Sequence, residues 1–279
     1  MNASRWRTYA PAAVPLMLIT AVALAAPLLA PYSPIEQPGP LDLRLLAPSW
    51  PHPFGTDVYS RDLLSRVLYG ARVSVAVGVG TAVIAALLGT LVGLSAGTGP
   101  RWLDALLMRT VDALLSVPRV LLLIALAATF GTLPAWALVV VLGCTGWFTL
   151  ARLVRDGARA AAQREFADAA RALGVTRWRL AWRHVLPTVS GTVLVAAVLT
   201  VGNAIAIEAG LSYLGLGVQP PTPSWGTLIH DGTEVLDVAW WHSVFPGLAI
   251  VGTVLACQSL AAAIERRAGV RAIVAASAR

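Results

Sequence analysis

The chain has 279 residues, 57% of them hydrophobic and only 13% charged, a balance too apolar for a soluble domain. Its formal charge of +7 comes from 21 basic residues, all of them Arg. The absence of Lys excludes a P-loop, whose lysine reaches the nucleotide phosphates. The Arg residues lie in short segments beside apolar runs of membrane-spanning length, the pattern of a membrane protein and not of a nucleic-acid binder. Cys144 and Cys257 each sit inside an apolar run and read as small buried hydrophobes, not as a disulfide or metal pair.

Arg5 and Arg7 precede an apolar run over residues 9–30. It reads as an uncleaved first span and not as a signal peptide, because it is long and no small-residue cleavage site precedes Pro31. Residues 31–72 are Pro-rich and nearly charge-balanced, which predicts an extended loop ending in an amphipathic helix over 61–69. A second span covers 73–96. Gly89, Gly93 and Gly97 recur there every four residues, a spacing that lets two helices approach backbone to backbone in lipid. Asp104, Arg109, Asp112 and Arg119 interrupt the next stretch, and Pro118 would kink a helix. The expectation is an interfacial lead-in and a third span over 113–130, with Arg119 snorkelling at the cytoplasmic end. Residues 131–134 make an outer turn, and a fourth span over 135–150 precedes Arg152, Arg155 and Arg159.

Residues 164–187, R-E-F-A-D-A-A-R-A-L-G-V-T-R-W-R-L-A-W-R-H-V-L-P, are a polar excursion between two apolar runs. Phe166, Ala169, Ala170 and Leu173 recur at i, i+3, i+4 and i+7, an apolar helical stripe, with Arg164, Asp168 and Arg171 on another face. Gly174 stands where a helix C-terminus favours a left-handed residue. A second stripe follows in Trp178, Ala181, Trp182 and Val185, with Arg177, Arg179 and Arg183 turned away. A stripe of small residues on a short solvated helix has no partner in a bare loop. It suits seating in a groove on another protein.

The fifth span is expected over 188–207 and the sixth over 243–264. The segment between them carries Glu208, Asp231, Glu234 and Asp237 without any Arg, together with Pro220, Pro221 and Pro223 and a helix expected over 225–238. Trp240 and Trp241 suit an interfacial aromatic belt. Residues 152–183 hold eight Arg against Asp156, Glu165 and Asp168, so that loop and the Arg-rich tail belong in the cytoplasm and the acidic segment outside. Six spans with both termini inside satisfy these signs. Glu208, in the run Ala204–Gly210, reads either as an interfacial carboxylate solvated by water or as a group facing a pathway near the outer gate, because a carboxylate this close to hydrocarbon is costly without water or a partner. No catalytic or metal site is expected: His52, His184, His230 and His242 are dispersed and read as interfacial hydrogen-bonding groups. The G-x-G at Gly78 and Gly80 lies within a span, where a phosphate is out of place.

Several stretches carry a family resemblance. Asp168-Ala169-Ala170, Gly174 and Leu186-Pro187 resemble the cytoplasmic E-A-A, three residues, G, then L-P motif of permease subunits of binding-protein-dependent ABC importers, with Asp in place of Glu. H-P-F-G-T-D over 52–57, S-R-D over 60–62, L-Y-G-A-R over 68–72 and L-S-Y-L-G-L-G-V-Q-P-P-T-P-S-W-G over 211–226 are similar to the second permease of the dipeptide, oligopeptide and nickel branch. The resemblance implies an all-α integral membrane protein of the type I importer permease fold. Residues 1–72 would form a first helix and an extracytoplasmic loop, and 73–265 a core with the coupling loop 152–187 and the extracytoplasmic segment 208–242. Residues 266–279 would form a cytoplasmic tail, which lacks an expected acidic ending. The resemblance further implies that Phe166, Asp168, Ala169, Ala170, Leu173 and Gly174 couple the chain to two ATP-binding subunits. A second permease, an extracytoplasmic solute-binding protein and membrane lipids complete the partners. ATP and Mg would be used by the partner subunits, no cofactor being bound here, in the cytoplasmic membrane of a bacterium or archaeon. By the same resemblance the cargo would be a di- or oligopeptide, with a nickel complex as the alternative that nothing in the sequence separates. An ion-coupled secondary transporter would require a midplane carboxylate pair that the spans lack, and a structural anchor would not need Gly-rich packing faces.

Overall fold

The structure, a computed structural model, describes residues 6–37, 43–131 and 133–268. The expectations for residues 269–279 of the tail and for 38–42 of the first loop lie outside the described residues. Among those, regular structure is helical, with one isolated bridge between Thr56 and Asp62. The first apolar run forms two helices, α1 (Trp6–Leu24) and α2 (Ala26–Leu29), instead of one. Pro27 accounts for the break, since it has no N–H to continue the ladder and its ring opposes the carbonyl four residues back.

Helix α3 (Leu63–Thr98) joins what the sequence pattern separates into an amphipathic helix and a span. No proline interrupts it, and Asp62 caps its start by accepting the Ser65 amide. Its 36 residues reach about 54 Å, well beyond a hydrocarbon layer of about 30 Å. Helices α4 (Arg101–Leu115) and α5 (Arg119–Phe130) form a pair bent by 72° at residues 116–118, where Pro118 forbids a straight continuation. Helix α6 (Ala135–Ala162) outruns the expected fourth span by twelve residues. A short helix α7 (Glu165–Ala172) follows. Then α8 (Arg177–Leu180), a π-turn (Ala181–Val185) and α9 (Leu186–Tyr213) run as one helix. Pro187 explains the π-turn, because widening the ladder accommodates a residue that donates nothing and crowds the carbonyl of Arg183. Helix α10 (Trp225–Thr233) starts at a capping box of Ser224 and Thr227, and α11 (Trp241–Ala268) closes the described chain.

Among the described residues four helical stretches are long and apolar enough to cross a membrane: α3, α6, the continuous α8–α9 and α11. The bent pair makes a fifth if taken as one crossing, and the apolar part of α1, Pro11–Leu24, is shorter. Helix α3 is the central member, packed along both α6 and α9, with α11 against α9 and α1 against α11. The glycine stripe sets the α3–α6 distance. A Cβ on Gly93 would come within 2.6 Å of the Ala151 carbonyl oxygen and 2.7 Å of Val154 Cβ, and one on Gly97 within 2.7 Å of Ala158 Cβ. Cys257 is buried as expected, but Cys144 is exposed. Trp240 is exposed as a belt residue should be, whereas Trp241 is buried beneath Gly55.

The α3–α6 contact generates a direct expectation. Gly93→Val should lower the thermal stability of the purified protein by about 1–3 kcal/mol, because a backbone carbonyl cannot yield to the added carbon. Gly210→Ala, where a Cβ meets nothing within 4 Å, should leave the melting temperature unchanged. Equal melting temperatures for the two variants would refute the packing argument.

Candidate functional site

At one end of the bundle α7 is laid against the ends of α6 and the start of the α8–α9 helix. Ala167 and Ala170 enter a cluster with Leu94, Val154, Ala158, Ala161, Leu180 and Val185. Helix α7 stops at Leu173 through paired bonds: the Val175 amide donates to Ala170 O (3.1 Å) and the Gly174 amide to Arg171 O (3.0 Å). Gly174 adopts φ +76°, the left-handed conformation that this stop requires. Arg171 donates to the Asp168 carboxylate and to the Ala162 carbonyl, tying the helix to the end of α6.

Of the stripe expected to dock outward, Phe166 (37% exposed), Ala169 and Leu173 (84% exposed) do face away from the chain. Ala170, at 7% exposed, does not; it belongs to the seat. The apolar stripe is thus shared between two faces one residue apart. Trp178 and Trp182 are likewise exposed, their rings 5.3 Å apart, while Ala181 and Val185 turn inward.

The opposite end carries a network that sequence reasoning took for an extended loop. Asp57 is fully buried and accepts from Arg61 Nε and Arg66 Nη1, both at 2.6 Å, and from the Tyr59 and Arg61 amides at 2.8 and 2.9 Å. Asp62 accepts from His52 Nδ1 (2.9 Å) and from the Ser65 amide (2.8 Å) and hydroxyl (2.7 Å). Thr56 accepts the Leu46 amide and donates to Leu43 O, so residues 43–62 fold back onto the head of α3. Arg66 also lies 3.5 Å from Asp231 of α10. Burial raises the Asp231 carboxyl above the ordinary range, opposed by Arg66 and Arg61. The signal was present in the strict alternation of acid and base from Asp57 to Arg66, at i, i+4 and i+9. His242, expected at an interface, is buried close by with neither ring nitrogen hydrogen-bonded.

Glu208 is a correction. It lies inside α9, not at the end of a span, and is 0% exposed. Its carboxylate accepts from Ser74 Oγ of α3 (2.9 Å) and Ser212 Oγ (2.7 Å), while Ser74 Oγ also accepts the Trp225 amide (3.3 Å). Three helices meet there, and the cost of a carboxylate in this setting is offset by its own chain's hydroxyls, so within this chain Glu208 is enclosed.

Between the bent pair, α6 and α9 lies a cavity of 870 Å³, lined by Leu114, Leu122, Trp147, Phe148, Leu199 and Asn203 among others. Arg119 is the one charged side chain among its described lining residues. It does not snorkel. Its Nη2 donates to Leu142 O (2.7 Å) and its Nε to Thr145 Oγ1 (3.2 Å), both on α6. The volume falls in the range of sites for small solutes.

A family model described as "Binding-protein-dependent transport system inner membrane component" matches residues 89–270. A protein of Brucella suis biovar 1 (strain 1330) with a peptide-permease name is 40% identical over 248 residues, 86% of this chain and 80% of that protein. The di/tripeptide transport system permease protein DppC of Pseudomonas aeruginosa (strain UCBPP-PA14) is 38% identical over the same share of each chain.

Asp57→Asn should destabilise the network sharply, since two buried guanidinium groups lose their carboxylate at a cost of about 3–5 kcal/mol. Limited proteolysis of the purified protein should then cut within residues 43–62 much faster than in the wild type. Unchanged cleavage would show that the fold of this segment does not depend on Asp57.

Proposed function

The chain belongs to the family of binding-protein-dependent transport system inner membrane components, as a multi-pass membrane protein, and from this we propose that it is one of two permeases in an ATP-driven importer of small peptides. It pairs with a second, homologous permease to enclose the pathway. Two ATP-binding subunits supply hydrolysis, with ATP and Mg held on them, and an extracytoplasmic solute-binding protein delivers cargo to the α10 end. The peptide-permease names of the relatives favour di- or oligopeptides over a nickel complex.

The observation that carries this reading is α7. A helix of eight residues is far too short to stand alone, yet it is seated firmly by Ala167 and Ala170 while Phe166, Ala169 and Leu173 remain uncovered. That arrangement presents a small apolar ridge on a rigid base, which suits a groove on an ATP-binding subunit. Asp168 and Gly174 contribute locally, through the Arg171 tie and the left-handed stop. Nucleotide-driven closure of the ATP-binding pair would move the seated helices as nearly rigid bodies. The proposed topology has six crossings, with α1 and the bent pair each counted as one, and with both termini and α7 in the cytoplasm.

Phe166→Glu combined with Leu173→Glu changes only exposed positions, so the isolated chain should fold and insert normally. Docking should lose upward of about 2 kcal/mol, more than a tenfold drop in affinity, seen as lost co-purification of the ATP-binding subunits and lost transport-linked ATPase. Full coupling in this variant would remove α7 from the contact. Topology is checked separately in a Cys144→Ala background: impermeant thiol reagents should label Glu234→Cys from outside intact cells and Arg159→Cys only after permeabilisation. Labelling of position 159 from outside would overturn the six-crossing arrangement.

A further inference from the structure

The break between α4 and α5 puts Arg119 at the first position of α5, where the helix dipole disfavours a cation. Thr145, its partner on α6, is ten residues from the start of that helix. That is about 15 Å along the axis, or about half of a hydrocarbon layer. A long side chain near a span end would extend its charge to the headgroups. Arg119 instead turns inward onto a carbonyl and a hydroxyl, both neutral. None of the ion pairs among the described residues includes it. A guanidinium has five N–H donors, and two are used here, leaving Nη1 and one Nη2 hydrogen without an acceptor among the described residues.

We infer that Arg119 recognises a carboxylate on the transported solute, which under the function proposed above, on which this inference rests, is the C-terminal carboxylate of a peptide. The cavity around it has the required chemistry. Its described lining holds no acidic group to compete, and the neutral polar Thr145, Thr149, Thr200 and Asn203 sit among apolar walls. Gly146 leaves room at the guanidinium, since a Cβ there would stand 3.1 Å from Arg119 Nη2. The first amides of α5 add partial positive charge at the same place. An unneutralised cation at this depth is retained where it meets water or a ligand, and the planar fork of Arg matches a carboxylate better than any other side chain. The two contacts to α6 hold the fork in place before the ligand arrives. Every peptide ends in the same carboxylate whatever its side chains, so one fixed cation amid otherwise neutral walls reads the terminus and leaves the side chains unselected.

The test uses the complete transporter, with second permease, ATP-binding subunits and solute-binding protein, in proteoliposomes. Uptake of trialanine is compared with uptake of trialanine amide, each divided by the receptor occupancy measured separately for that peptide. The wild type should prefer the free acid. Arg119→Gln should lower uptake of the acid about tenfold relative to the amide, as expected for one lost charge-assisted contact, so that the preference disappears. Arg119→Lys should keep part of the preference, the charge being present without the fork. An equal fall for both peptides, or loss of the second permease on purification, would make Arg119 a subunit-pairing residue and overturn the inference. An unchanged ratio would overturn it too. Failure of the wild-type complex to import either peptide would overturn the peptide reading itself, and this inference with it.

Discussion

The backbone-to-backbone approach of α3 and α6 at Gly89, Gly93 and Gly97 is the constraint on which the rest of the structure depends. In lipid there is no hydrophobic gain in bringing two apolar helices together, so association rests on dispersion contacts and on how closely the backbones can approach. Glycine on α3 lets Leu150, Ala151, Val154 and Ala158 of α6 reach the α3 backbone itself. Three of these α6 residues, Leu150, Val154 and Ala158, with Leu94, form the floor on which Ala167 and Ala170 seat α7. Remove the close approach and the seat loses its floor, although Gly89, Gly93 and Gly97 are not themselves part of that cluster.

The other end is held by different physics. There the chain turns back over α3, α9 and α11, and its backbone groups are satisfied by buried carboxylates. Asp62 and Asp57 serve the head of α3 and the 43–62 segment, and Glu208 joins α3, α9 and the entry to α10 through Ser74 and Ser212. Such groups are expensive to bury and more expensive to leave unpaired. They make this end specific in a way that Leu and Val cannot, because a shifted register would strand a charge. Gly55 adds to this, its φ of +79° and its contact with Trp241 both excluding a side chain.

The long apolar helices, the α3 glycine stripe and the left-handed stop at Gly174 were legible in the sequence, since each is a local or periodic property. Boundaries were less so. The hydropathy of 61–69 differs from that of 73–96, yet nothing between them breaks a helix, so charge was mistaken for an end. Phe166, Ala169, Ala170 and Leu173 were read as one face, but a helical stripe records apolarity and not which neighbour covers it; Ala170 went to the chain's own core. Glu208 and Arg119 failed in opposite directions for one reason. Each is judged in sequence by its position along a span, whereas its environment is set by helices distant in the chain: Ser74 lies 134 residues away and Leu142 lies 23 away. A carboxylate expected to face water or an open path is enclosed, and a guanidinium expected at the interface stands over a cavity.

That cavity and the α7 seat share one structural member. Helix α6 offers Leu142 O and Thr145 Oγ1 to Arg119, and farther along the same helix offers Val154, Ala158 and Ala161 to α7. No proline or π-turn interrupts it between those points, so it cannot absorb a displacement by bending locally. Its contact with α3 is also backbone-close, which resists sliding. Movement imposed at α7 must therefore reach the cavity wall as a shift of α6 as a whole. The bent pair is the side that can hinge: it is broken at residues 116–118, and α4 buries only Val111, being held to α6 mainly by ion pairs of Asp104 and Asp112. A stiff α6 beside a hinged α4–α5 pair means that relative motion is taken up at the contacts between them: the ion pairs of Asp104 and Asp112 on α4 with Arg155, Arg159 and Arg152, and the two hydrogen bonds of Arg119 on α5. The group best placed to hold an anion in the cavity is also the one whose grip depends on how α6 stands against α5.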